Sequence, residues 1–172
     1  MAHLFVDQDL ELAGREAELG QPVAALFAHF DDTPISAASI AQVHFGTVAD
    51  ADGGTSEVAI KVLRPGIERA FARDVELLYW LATFIERTHP RLRRLKPVAA
   101  VRLFEETVRI EMDLRMEAAA ASELADNFAG DATYRTPPVD WQRTSRRVLT
   151  MGRVAGIPID DREALLAFLA DL

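Results

Sequence analysis

The sequence predicts an α+β fold in which a small antiparallel sheet is packed by long helices. Three observations carry that expectation. Apolar residues run from Ile40 to Val48, reverse through Asp50-Ala51-Asp52-Gly53-Gly54 and return as Val58-Ala59-Ile60-Lys61-Val62-Leu63. Asp-Gly and Gly-Gly supply the positive φ that tight hairpins require. Ile67, Phe71, Val75, Leu78, Leu81, Ala82 and Ile85 then recur at three- and four-residue spacing, which is the pattern of one helix face. The same period returns at Val98, Val101, Leu103, Phe104, Val108, Met112, Met116 and Leu124.

Composition narrows the function classes. With 172 residues and 49% hydrophobic content, the chain can bury one core. Nineteen basic residues against 27 acidic ones give a net charge of −8, which argues against broad nucleic-acid binding. The absence of cysteine removes disulfides and thiolate metal sites, and is compatible with a reducing compartment. No apolar run approaches a membrane span, and the first dozen residues carry Asp7, Asp9 and Glu11 where a signal peptide would be basic and then apolar. The expectation is a cytoplasmic chain without a transmembrane segment.

Taken in order, the segment Leu10 to Phe30 reads as two short helices broken at Gly20-Gln21-Pro22, the second running from Pro22 to His29 with proline in its first turn. His29-Phe30-Asp31 looks like the H-x-D of a phosphotransferase catalytic loop, but it precedes the phosphate-type loop, so it is read as a helix end with a turn. Small residues Ser36, Ala37, Ala38 and Ser39 form a loop ahead of the hairpin. Arg64-Pro65-Gly66 ends the second strand, a helix covers Ile67 to about Thr88, and Pro90 closes it. Five basic residues, Arg87, Arg91, Arg93, Arg94 and Lys96, follow. They read either as a solvated connector or as a patch for anionic headgroups. One long helix is expected from Pro97 to Asn127, then a loop over Phe128 to Asp140. A strand over Arg146 to Met151 leads into Gly152-Arg153-Val154-Ala155-Gly156, and a helix begins at Asp160.

Lys61 carries the chemistry. Flanked by Val58, Ala59, Ile60, Val62 and Leu63, it reads as a buried lysine, and an unpaired charge in such a strand is costly to desolvate. Either the side chain snorkels to water from an edge strand, or something anionic meets it. Val58-Ala59-Ile60-Lys61 is the V-A-I-K string with which a kinase's third strand offers its lysine to the α- and β-phosphates of ATP. The small-residue loop joined to it by a hairpin lets backbone N–H groups approach phosphate oxygens. An ordinary kinase has G-x-G-x-x-G there. Alanine and serine stand in this loop instead, which predicts a stiffer loop.

Three segments together, PISAASIAQVH at Pro34 to His44, VAIKVLRPGI at Val58 to Ile67 and EMDLRMEAAAA at Glu111 to Ala121, resemble the AarF/UbiB family of atypical kinases, which supports ubiquinone biosynthesis. The resemblance covers roughly Leu26 to Asp160. It implies a protein-kinase-like amino-terminal lobe over residues 1–151, with 152–172 as the hinge and the start of a carboxy-terminal lobe that lies outside this sequence. Within the lobe the helix pair that begins at Ile67 is an insertion. The implied nucleotide site is Ile35, Ser36, Ala37, Ala38, Ser39, Ile40, Ala41, Gln42, Val43 and Lys61, holding ATP or ADP. Glu117 is implied as the glutamate that positions Lys61, whereas an ordinary kinase would use a glutamate on the next helix, here Glu76. On one unbroken helix Asp113 would share Glu117's face, and two such charges on a buried face need a cation, which Lys61 supplies.

Glu111 and Asp113 match the family's E-x-D motif. On a continuous helix residues two apart point to different sides, so they cannot both face the nucleotide, and Glu111 has Arg115 within reach one turn on. The family's lysine-glycine-glutamine motif, expected upstream, is not found in this sequence, and glutamate usually stands where Gly152 does. No catalytic-loop aspartate with its asparagine and no D-F-G are found, so Mg²⁺ is expected only with the missing lobe. Two functions follow: a nucleotide-binding lobe of an atypical kinase or ATPase, inactive alone, or a non-catalytic interaction module. The second would contact a lipid-pathway protein or the inner membrane's surface through Arg87, Arg91, Arg93, Arg94 and Lys96.

Overall fold

The computed structural model describes residues 20–157 and 161–170. The first of the two expected amino-terminal helices lies outside them. The described chain runs α1 (Val23–Leu26), β1 (His29–Phe30), β2 (Ser36–Ala37), β3 (Ala41–Ala49), β4 (Thr55–Leu63), α2 (Ile67–Thr88), α3 (Pro97–Glu111), α4 (Leu114–Asn127), β5 (Val148–Gly152) and α5 (Arg162–Ala170). A 3₁₀ turn, Pro90–Leu95, joins α2 to α3, and another, Trp141–Arg143, precedes β5. The α+β expectation holds.

The hairpin of β3 and β4 is the spine of a five-stranded antiparallel sheet ordered β1-β3-β4-β5, with β2 also paired to β3. Its turn closes where the Asp-Gly chemistry puts it: Gly53 has φ +85°, and Asp50 N donates to Gly54 O at 2.9 Å. Nine residue pairs run from Ala41↔Leu63 to Ala49↔Thr55. Val58↔Gly152 through Val62↔Val148 pair β4 with β5.

Because side chains alternate along a strand, this register sorts them onto two faces. One face carries Val48, Val58, Ile60, Val62 and Val148, buried against Val23 and Phe27. His44 and Thr150 are fully buried on it too, and each has a main-chain partner: His44 Nδ1 lies 2.9 Å from Asp31 O, and Thr150 Oγ1 donates to Arg143 O at 2.7 Å. Gly46 belongs to this face for steric reasons, since a Cβ there would sit 2.7 Å from His29 O and 2.9 Å from Ile60 Cδ1. The other face carries Ala41, Leu63 and Leu149, covered by Met112, Leu114 and Ala118.

Three expectations need correction. The helix predicted over Pro22 to His29 is a single turn, Val23–Leu26, and His29–Phe30 is strand β1, paired His29↔Thr47 and Phe30↔Gly46, rather than a helix end with a turn. Main-chain pairing with β3 outweighs the apolar spacing there. Ser36 and Ala37 are strand β2 rather than loop. The long helix expected from Pro97 to Asn127 is broken at Met112 and Asp113. Asp113 leaves the helical region at φ −112°, ψ 94° and its side chain accepts from Arg115 N, so it acts as the N-cap of α4. Aspartate favours that position because its carboxylate satisfies an N–H with no partner inside the helix. The break also turns Met112, Leu114 and Ala118 together onto the sheet, where they are 4%, 1% and 0% exposed.

Helix α2 spans the predicted residues and starts after Gly66 at φ +70°. It packs on α3 through buried Val75 and Ala82, a ring contact between Phe71 and Phe104, and a 2.8 Å hydrogen bond from Tyr79 Oη to Glu105. That bond favours the protonated phenol, so the Tyr79 pKa lies above its ordinary value.

Candidate functional site

Only half of the second face is covered. Beside Ala41, Leu63 and Leu149, the neighbouring positions Val43, Phe45, Ala59, Lys61 and Met151 are half-buried and form a strip along β3, β4 and β5. Register fixes who stands beside Lys61: Ser36 opposes Val43, Val43 opposes Lys61, and Lys61 opposes Leu149. The small-residue segment, the lysine and β5 therefore share one row. Two residues along, Phe45, Ala59 and Met151 form the next row.

Lys61 Nζ donates to Glu117 Oε2 at 2.6 Å. Both side chains keep contact with water, the lysine 33% and the glutamate 48% exposed. The expectation of a buried lysine is thus corrected, because Val58, Ile60 and Val62 turn to the opposite face and Lys61 shares the open one. Ala118, fully buried next to Glu117, lets α4 approach the sheet closely enough for this contact. Glu76, the ordinary-kinase alternative, is exposed on α2.

The segment Ile35 to Val43 is a tight hairpin. Ile35 N donates to Val43 O, Ser36 and Ala37 pair with Val43 and Gln42, and Ala38 N donates to Ala41 O, leaving Ser39 and Ile40 at the tip. Arg64 braces it: its backbone N–H donates to Ile40 O at 2.9 Å and its Nε to Ala38 O at 3.1 Å. Arg147 in turn donates to Arg64 O and pairs with Glu68 at 3.4 Å. Arg64 was legible in the sequence only as part of a strand terminator. Its bracing role depends on the loop folding back beside the end of β4, which local patterning does not show.

The break before α4 rearranges the acidic motif. Asp113 and Glu117 do not lie together on a buried helix face: Asp113 is the cap, and its carboxylate is forked by Arg115, with Nε and Nη2 at 2.9 and 2.7 Å. The Arg115 hydrogen bond holds the Asp113 carboxyl below the usual carboxylate range. Glu111, Asp113 and Glu117 line one cleft of about 310 Å³ with Ile110 and Met116. Glu111 and Asp113 reach the same cleft because the chain breaks between α3 and α4, where an unbroken helix would turn them to different sides. Among the described residues no group of three His, Cys, Asp or Glu side chains is placed to hold a metal ion.

The basic residues Arg87, Arg91, Arg93, Arg94 and Lys96 lie exposed at the α2–α3 connection, away from the strip. Among the described residues no helix is long and apolar enough to cross a membrane.

A small antiparallel sheet whose central strand carries a lysine, ion-paired to a glutamate on a packed helix, defines a protein-kinase-like amino-terminal lobe. Comparison with known proteins agrees. The ABC1 atypical kinase-like domain matches residues 5–169. The probable protein kinase UbiB of Xanthomonas euvesicatoria pv. vesicatoria is 48% identical over 147 residues, covering 85% of this chain and 26% of that protein. The corresponding protein of Marinobacter nauticus is 42% identical over 150 residues, covering 87% and 27%. Among solved structures, Rv3197 of Mycobacterium tuberculosis, determined in complex with erythromycin, matches at a TM-score of 0.71 and 24% identity over 90% of this chain and 37% of that one. This last likeness speaks to the fold. The chain belongs to the ABC1 (AarF/UbiB) family of atypical kinase-like proteins, and it spans about a quarter of the length of the curated relatives it matches.

Proposed function

We propose that this chain is the nucleotide-binding lobe of a UbiB-like atypical kinase or ATPase that supports ubiquinone biosynthesis, with residues 1–151 as the lobe and 152–172 as the hinge and the start of the second lobe. The observation that carries the reading is the half-open strip with the Lys61–Glu117 pair at its centre and the small-residue hairpin in the same row. Such a strip offers a base an apolar seat on Val43, Ala59 and Met151, and offers phosphates the ammonium of Lys61. Ser39 and Ile40, at the tip of the Ile35–Val43 hairpin, would supply main-chain donors, and Glu117 would hold the ammonium in place when no nucleotide is bound. ATP or ADP fits this donor set, while Mg²⁺ would be held by residues of the second lobe.

The chain contains neither a catalytic-loop aspartate nor a D-F-G, so by itself it has no transferase or ATPase activity in this reading. Nucleotide should raise the melting temperature of the chain, because a ligand at ten times its Kd adds about 1.4 kcal/mol to stability. The Lys61→Ala variant should show no such shift. Hydrolysis of ATP by the purified chain would contradict the inactivity.

A specific observation favours a second role, as an interaction module at an anionic membrane surface. Leu77, Trp80, Leu81 and Phe84 form an outward stripe on α2, 63%, 64%, 44% and 48% exposed, with the Trp80 and Phe84 rings stacked at 5.8 Å. Arg87 lies beside them, and Arg91, Arg93, Arg94 and Lys96 follow. Aromatic residues next to cations suit a headgroup boundary, and the chain would then act in the cytoplasm, peripheral to the inner membrane. Sedimentation with anionic vesicles but not neutral ones tests that role.

A further inference from the structure

The open strip has a far end that the roles above leave unassigned. Strands rise about 3.3 Å per residue, so Glu57, four residues before Lys61 and on the same face, stands roughly 13 Å from it. There Arg153 folds back over the sheet. Its backbone N–H donates to Glu57 O at 3.0 Å, its Nη1 pairs with Glu57 Oε1 at 3.0 Å, and its Cζ lies 3.9 Å from the centre of the Phe45 ring. Phe45 opposes Ala59, which opposes Met151. The apolar shelf is therefore bounded by the ammonium of Lys61 on one side and by the Arg153 guanidinium over the Phe45 ring on the other.

We propose that Arg153 is a base-positioning residue that closes the distal end of the nucleotide shelf. This rests on the nucleotide-binding reading above. A purine seated on Ala59 with its phosphates toward Lys61 abuts the Arg153–Phe45 plate, and the guanidinium, which carries only donors, meets acceptor atoms on the base or ribose. With the phosphates drawn to Lys61 and the base between, Arg153 faces the nucleoside rather than the phosphate chain. Arg153 thus acts on the nucleoside end and leaves the phosphate end to Lys61. Holding the plate in register is the part played by Glu57.

Arg153 and Glu57 are 39% and 65% exposed, and exposed pairs of this kind add little to folding stability, so their substitution should leave the fold intact. The test titrates the chain with ATP and with inorganic tripolyphosphate, which has no base. Arg153→Ala should weaken ATP about three- to tenfold, the range of one net hydrogen bond to the nucleoside, and leave tripolyphosphate unchanged. Glu57→Gln should weaken ATP in the same direction and by less. Lys61→Ala should lose both ligands. Equal affinity of Arg153→Ala and the parent for ATP, or a parallel loss of tripolyphosphate, would overturn the assignment of Arg153 alone. A folded parent chain that binds neither ligand would overturn the nucleotide reading, and this assignment with it.

Discussion

On β4, Val58, Ile60 and Val62 are 3%, 1% and 8% exposed, while Ala59 and Lys61, one residue away on the same strand, turn to a face that helices cover only in part. The closed face is a seal. α1, Phe30 and the segment before β5 fill it, and two of its buried polar groups, His44 and Thr150, are tied to main-chain oxygens, as burial demands. The open face is divided: α4 covers Leu63 and Leu149, and the strip from Val43 to Met151 keeps contact with solvent. Both faces hold part of the core, but only the second leaves a row of side chains open to solvent. A charged residue in an apolar strand need not be buried, because period-two alternation can send its neighbours inward and leave it on the open face.

Substitutions should break this contrast in a graded way. The largest effect is expected from Ile60→Ala on the closed face, at about 2–5 kcal/mol, because the side chain is 1% exposed and its loss leaves a cavity. Chemical denaturation would measure it. Gly46→Ala comes next, at roughly 1–3 kcal/mol, since its Cβ meets a carbonyl oxygen at 2.7 Å that strand pairing holds in place.

Asp113→Ala should cost about 1 kcal/mol through loss of the α4 cap. Its pH signature sharpens the point. The carboxyl's pKa is lowered in the folded state, mainly by the Arg115 hydrogen bond, so its contribution is fully present above the unfolded pKa and disappears as pH falls through the folded one. Acid titration of the variant should therefore show a shallower loss of stability on that limb. The smallest effect on stability falls on the open face. Lys61→Ala should change it by only about 0–1 kcal/mol, because the pair with Glu117 is well exposed, yet it should abolish nucleotide binding.

Local rules made part of this legible in the sequence. The β3–β4 turn followed from Asp-Gly chemistry, and α2 from apolar spacing between Gly66 and Pro90. The break at Met112 was hidden because the helical period of α3 and α4 runs through it, and only the cap at Asp113 interrupts the main chain. β1 was hidden because two residues are too few to show alternation. In the site, Lys61 and the small-residue segment stood out as residue types in a pattern. Arg64 and Arg153 did not, since each works by reaching a segment far away in sequence, Ala38 in one case and Phe45 in the other.

The central claim is that the open half of the sheet is a nucleotide seat organised around Lys61. Calorimetric titration of the chain and its Lys61→Ala variant with ATP and ADP, with and without Mg²⁺, tests it most directly. The account predicts binding by the parent that does not require Mg²⁺ and is lost in a variant that still unfolds cooperatively within a few degrees of the parent. Equal binding by the two proteins, or none by a folded parent, would contradict it.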